Sequence, residues 1–232
     1  ITGAKLVAGA DLTSNKDDIS ITMTNDVTGT ENITATAGNV TIAVTGGKDA
    51  DVDFAATDVI TAANDVTISG DNIDVGILKS TSAGNVTVTG ANDVAIEGSI
   101  TNNAGSGNVT ITSAEAFTDG QSAIKLTDGI TIDADNDVVI TASAGGEIGL
   151  GAAIIKSSAA GDIKITGGDI DGSGAITATK GNIELNSTCD ATETATLSGD
   201  ITATSGKVTF LGGNFNVSTI VSNVGGITIG GD

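Results

Sequence analysis

Short stretches of alternating apolar and polar residues recur along the chain, each introduced by a pair of turn-forming residues. An early example is Gly38-Asn39-Val40-Thr41-Ile42. The phrase returns as Asn64-Asp65-Val66-Thr67-Ile68, Gly84-Asn85-Val86-Thr87-Val88, Gly107-Asn108-Val109-Thr110-Ile111 and Asn136-Asp137-Val138-Val139-Ile140. It continues as Gly161-Asp162-Ile163-Lys164-Ile165, Gly181-Asn182-Ile183-Glu184-Leu185, Gly206-Lys207-Val208-Thr209-Phe210 and Gly225-Gly226-Ile227-Thr228-Ile229. The first apolar residues of successive phrases lie 19 to 29 residues apart, a period of about 20 with insertions of varying length.

Alternate side chains of a strand point to opposite faces, so Val40, Ile42 and Val44 are expected inside and Thr41 and Ala43 outside. One such strand cannot bury its apolar face alone. Stacked coils, about 4.8 Å apart, bury it against the coils above and below. A second phrase lies between the main ones, as Ile33-Thr34-Ala35-Thr36, Ile100-Thr101, Ile176-Thr177-Ala178-Thr179 and Ile201-Thr202-Ala203-Thr204. Asn92-Asp93-Val94-Ala95-Ile96 and Gly129-Ile130-Thr131-Ile132 lie too close to main phrases to start new coils, and read as further strands of the same coils.

The pattern predicts an all-β chain: a right-handed parallel β-helix, or β-solenoid, of about ten irregular coils, forming a rod on the order of 50 Å long. Its handedness follows the usual crossover rule. Residues 1–232 read as a single solenoid domain, with 1–16 as a terminal strand or subunit-joining segment. A β-sandwich would lack the long-period similarity. An antiparallel meander would need hairpin turns, and the favoured Asn-Gly turn is absent.

Composition agrees with strands and turns. Thr, Val and Ile suit a pleated surface, while Gly, Asn and Asp suit tight turns, through positive φ or bonds to their own backbone. The chain has no Pro, which would remove ladder hydrogen bonds. A mean hydropathy of +0.22 with 39% hydrophobic residues argues against disorder. The net charge is −20, with nine lysines against 29 acids, so nucleic acid is not an expected partner, nor is an anionic membrane surface. No apolar run reaches a membrane-spanning length. Cys189 is the only cysteine, which excludes an internal disulfide; it reads as a small packing residue. The start at Ile1 is expected of a processed or excised product, such as one whose signal peptide has been removed.

The phrases ITATAGNVTIAVTGG, GSGAITATKGNIELNST and SGDITATSGKVTFLGG resemble filamentous-haemagglutinin repeats, and the resemblance runs from about Asp17 to Ile229. It implies a right-handed β-helix exported to the cell surface or medium, with a structural or adhesive shaft.

Several residue patterns suggest chemistry. Asp49, Asp51 and Asp53, then Asp133, Asp135 and Asp137, place acids at every second position, and Asp169 with Asp171 opens a run like an acidic calcium loop. Hard oxygen ligands in a flexible loop suit calcium, but no bidentate Glu follows at EF-hand spacing, and solvated turns explain such runs as well. Thr-x-Thr recurs at Thr34/Thr36, Thr87/Thr89, Thr110/Thr112, Thr177/Thr179 and Thr202/Thr204. Stacked on one face, such rows could order water, as in ice-binding β-helices. The irregular periods argue against a flat lattice, and Thr is an ordinary outward strand residue. Asn32, Asn39, Asn85, Asn108, Asn186 and Asn216 stand in Asn-x-Ser/Thr, which turn-plus-strand chemistry already accounts for. Paired carboxylates could do acid–base work on a polysaccharide. The chain has no Arg, His or Tyr and only four Phe, so the lining of a sugar cleft is nearly missing, and no enzyme is expected.

The leading expectation is therefore an extracellular or cell-surface structural protein, a subunit or shaft segment of a filament. The first segment, Ile1 to Gly9, is apolar and the last, Val224 to Gly231, is an ordinary repeat, so the chain itself is the expected partner, head to tail. An adhesin module contacting cell-surface or matrix ligands is the alternative, although the irregular stretches 44–58 and 112–129 are poor in aromatics. Ice binding and polysaccharide chemistry rank below both. No cofactor is required by any of these readings; calcium at the acidic runs is a candidate ligand, not a requirement.

Overall fold

The computed structural model describes every residue except 30, 103–104, 116–121, 189–193 and 231–232. Strands follow one another with no α-helix among the described residues; a single 3₁₀ turn spans Ser143–Gly145. Each coil contributes one strand to an eleven-stranded sheet, here sheet A, and two short strands, or one long one, to a second sheet, sheet B. Val40–Val44, for example, lies in sheet A, and Val52–Phe54 and Val59–Ala62 follow in sheet B before Val66–Gly70 returns to sheet A. Every pairing between described strands is parallel, which is the expected β-solenoid and leaves no hairpin among them. Residues 1–16 form the first coil, with Thr2–Gly3, Leu6–Ala8 and Leu12–Ser14 paired in parallel to the second.

The main phrase stacks in register. Val40, Val66, Val86, Val109, Val138, Ile163, Ile183, Val208 and Ile227 are successive partners. Ile33, Ile60, Leu78, Ile100, Ile132, Ile155, Ile176 and Ile201 do not all carry the second phrase in sequence, yet they occupy equivalent places in sheet B. Coil length varies from 19 residues (Val208 to Ile227) to 29 (Val109 to Val138). The variation is absorbed outside sheet A: register shifts occur between Ser122 and Ile124, between Gly149 and Gly151 and between Leu197 and Asp200, all in sheet B.

Inward residues form one continuous core from Ile21 to Phe210. Val40, Ile42 and Val44 are buried while Thr41 and Ala43 are partly exposed, as alternation requires. Size is balanced between coils. Phe54 is buried opposite Gly29, where an added Cβ would stand 3.2 Å from the ring and 3.0 Å from the Ala8 Cβ. Buried hydroxyls close the corners: Ser113 donates to the Asn92 carbonyl at 2.6 Å, Ser157 to Gly161 at 2.7 Å and Ser187 to Gly168 at 2.6 Å.

The Gly-Asn and Gly-Asp pairs work differently from the expectation that they bend the chain. The glycines of these pairs, Gly38, Gly84, Gly107, Gly161 and Gly181, have no positive φ; Gly226, before the last strand, has one of +85°. They are required by close approach instead, since a Cβ on Gly181 would overlap the Gly161 carbonyl of the preceding coil. The Asn and Asp that follow bond to the next coil rather than to their own turn. Asp18 Oδ1 accepts the Asn39 N–H at 2.7 Å, Asn39 Oδ1 accepts the Asp65 N–H at 3.0 Å, and Asp65 Oδ1 accepts the Asn85 N–H at 2.7 Å. The ladder continues through Asn108, Asp137, Asp162 and Asn182 and ends on the Lys207 N–H. Each backbone donor that turns away from the sheet at this corner thus finds an acceptor one coil down.

Candidate functional site

The outer face of sheet A repeats with the coils. Alternation sends the second and fourth residue of each five-residue strand outward, and in-register stacking lines them up in two columns. One column reads Ser20, Thr41, Thr67, Thr87, Thr110 and Val139, and the other Thr22, Ala43, Ser69, Thr89, Thr112 and Thr141. Ten of these twelve side chains carry a hydroxyl and none carries a charge. Beyond them the first column becomes ionic, with Lys164 Nζ 2.8 Å from Glu184 Oε1. Of the Thr-x-Thr pairs, only Thr87/Thr89 and Thr110/Thr112 lie here; Thr34, Thr177 and Thr202 lie in sheet B. The irregular periods that argued against a regular lattice leave this face untouched, because the extra residues enter elsewhere in each coil.

Sheet B presents charge on its outer face. Asp53 and Asp74 are register partners one coil apart, and Ala95 and Lys125 continue the column. Asp51, Asp53, Asp74 and Asp93 line a shallow groove of about 350 Å³. Asp74 is held up to about 6, first by desolvation and then by the negative charges of Glu97 and Asp53. Its Oδ1 is buried without a hydrogen bond. Asp93 is also raised to about 6, by desolvation and by its hydrogen bond with Glu115. Both carboxyls are thus held closer to the neutral form than an ordinary aspartate. The sequence pattern did not single out Asp74 or Asp93; the signal available was the Asp53–Asp74 spacing of one coil, which shows only after the Val52 and Ile73 phrases are aligned.

Of the eight acids singled out as calcium ligands, Asp51 and Asp53 share the sheet B groove, and most of the eight are occupied as acceptors. The Asp49 N–H donates to Asp71 Oδ2 at 2.7 Å, Asp51 Oδ1 accepts from Asn72 Nδ2 at 2.8 Å, and Asp53 is exposed in its strand. Asp133 accepts from the Ser158 hydroxyl, Asp135 from the Gly105 N–H at 2.6 Å and Asp137 from the Asp162 N–H at 2.8 Å. Asp169 Oδ1 accepts the Ile170 N–H at 2.9 Å, and Asp171 Oδ1 the Thr196 N–H at 2.8 Å. Among the described residues no three acidic or thiol groups converge to hold a metal ion. Asn39 and Asn85, in the Asn-x-Thr phrase, spend Nδ2 on Asp18 and Asp65, at 3.0 and 3.4 Å. Phe54 is buried, and Phe117 and Cys189 lie outside the described residues.

The two ends of the stack are apolar. Ile227 and Ile229 continue the inward columns of Val208 and Phe210 but are 48% and 73% exposed, and Ile1 at the opposite end is 58% exposed. No helix of the described residues is long and apolar enough to cross a membrane. No protein-family model matches the chain, and neither a curated protein nor a solved structure matches it.

Proposed function

We propose that the chain is a structural shaft of an extracellular filament, joined head to tail through its end coils. The observation that carries this reading is the state of the inward columns. They run from coil to coil without a change of character and leave Ile227 and Ile229 exposed at one end and Ile1 at the other. Exposed strand edges and uncovered apolar columns template further pairing. A second copy in the same register supplies what both ends lack, and because the two ends differ, the contact does not close on itself. The same surfaces serve equally for further coils of one longer polypeptide. The likeness to filamentous-haemagglutinin repeats supports export and a shaft role, and the charge of −20 keeps rods apart sideways while they add end to end.

Electron microscopy and sedimentation of the full chain over a range of concentrations test the proposal, with and without calcium. Rods that lengthen with concentration are expected, and Ile229→Lys should shorten them without changing the β-sheet circular dichroism. Monodisperse monomers at high concentration, in both the presence and absence of calcium, would sink the idea.

A further inference from the structure

We infer that the uncharged part of the outer face of sheet A, from Ser20 to Thr141, binds the surface lattice of ice. The face repeats in two directions. Coils place equivalent residues about 4.8 Å apart along the rod, and alternate residues of one strand stand about 6.6 Å apart across it. Thr67, Thr87 and Thr110 form one row of the central patch, and Ser69, Thr89 and Thr112 the other. Register is kept across this sheet, and side-chain ladders such as that through Asp65 and Asn85 favour an untwisted one.

Such a surface selects a partner that is itself periodic, since only that partner meets every coil in the same way. The partner must also be neutral, because the patch has no charge to complement while the chain as a whole carries −20. Protein partners are recognised through buried Trp, Tyr and Arg anchors, and this chain contains none of the three. Crystalline polysaccharide would call for aromatic platforms. Phe54 and Phe210 are buried, and Phe215 lies at the end of the stack in sheet B. Solid water fits what remains. It is neutral and periodic, and it hydrogen-bonds through groups that donate and accept, as a threonine hydroxyl does.

The test is uptake of the full chain into slowly growing ice, beside an acidic globular control. The wild type should be enriched in the ice several-fold over the control. Thr87→Lys with Thr110→Lys should reduce uptake to the control level with an unchanged circular dichroism spectrum; Lys164 already occupies this column, so a lysine there fits the fold. Thr101→Lys, outward on sheet B between Lys79 and Asp133, should leave uptake unchanged. Exclusion of the wild type from ice overturns the inference whatever the variants do, and so does equal uptake by the double variant. Side-by-side pairing of chains in sedimentation that the double variant abolishes, without ice enrichment, also overturns it and makes a second copy the occupant of the face.

Discussion

Asp65 and Asn85 stand one coil apart, and the carboxylate Oδ1 of the first accepts the backbone N–H of the second at 2.7 Å. Asp65 is held in turn by Asn39, whose Oδ1 accepts its N–H at 3.0 Å. The residue that looks like half of a turn is therefore a rung between coils. Asp65→Ala leaves the Asn85 N–H without its acceptor and should cost about 1–2 kcal/mol. Asp65→Asn keeps an oxygen in place and should cost well under that. Urea midpoints of the two variants, compared at equal m-value, decide the matter.

Close approach and backbone conformation are separable at two glycines. Gly181 has an ordinary φ but no room, because a Cβ overlaps the Gly161 carbonyl. Gly47 has φ +79° and open space. Gly47→Ala should cost roughly 1 kcal/mol from conformation alone. Gly181→Ala must push two coils apart and should be the more damaging by several kcal/mol, by analogy with overpacking a core. A reversed order in thermal melts would show that the coils yield at this corner.

The inward and outward positions of a single strand should respond oppositely to truncation. Ile111 is fully buried and its neighbour Thr110 is partly exposed. Ile111→Ala should lose about 2–5 kcal/mol to transfer and cavity terms. Thr110→Ala should stay within about 0.5–1 kcal/mol. Denaturant unfolding of both variants checks the assignment of faces.

Stability should rise as pH falls from 7 towards 5. Asp74 and Asp93 bind protons more tightly in the folded chain, at about 6 against an ordinary 3.8, so the native state holds more protons than the unfolded one between those values. Unfolding free energy then declines as pH rises through that window. Asp26, lowered by its hydrogen bond from Lys5, acts in the opposite direction and only below the ordinary carboxylate range. Asp74→Asn and Asp93→Asn should each raise stability at pH 7 by roughly 1 kcal/mol after solvent screening, and together flatten the dependence. Melting curves at pH 5 and 7 that coincide for the wild type would contradict this.

Alternation and spacing were enough to determine the class of fold. Each main phrase from Val40 to Ile227 lies in sheet A, in the register its spacing implied, because a two-residue period fixes which side chains are inside and a repeat that cannot bury itself must stack. Weaker copies such as Ile60, Leu78 and Ile155 were not legible in the same way: burial demands only an apolar residue there, and any of several will serve. The tertiary structure alone decided what the turn residues do. A glycine needed for its missing Cβ and one needed for its φ look alike in a sequence, and an Asp or Asn in a turn does not announce that its partner is twenty or more residues away. It also decided where the irregular lengths are absorbed. Register in sheet A is kept from coil to coil while the described shifts fall in sheet B, so hydroxyls scattered through the sequence become two regular columns, and the winding brings Asp74 and Asp93 from later coils beside Asp51 and Asp53.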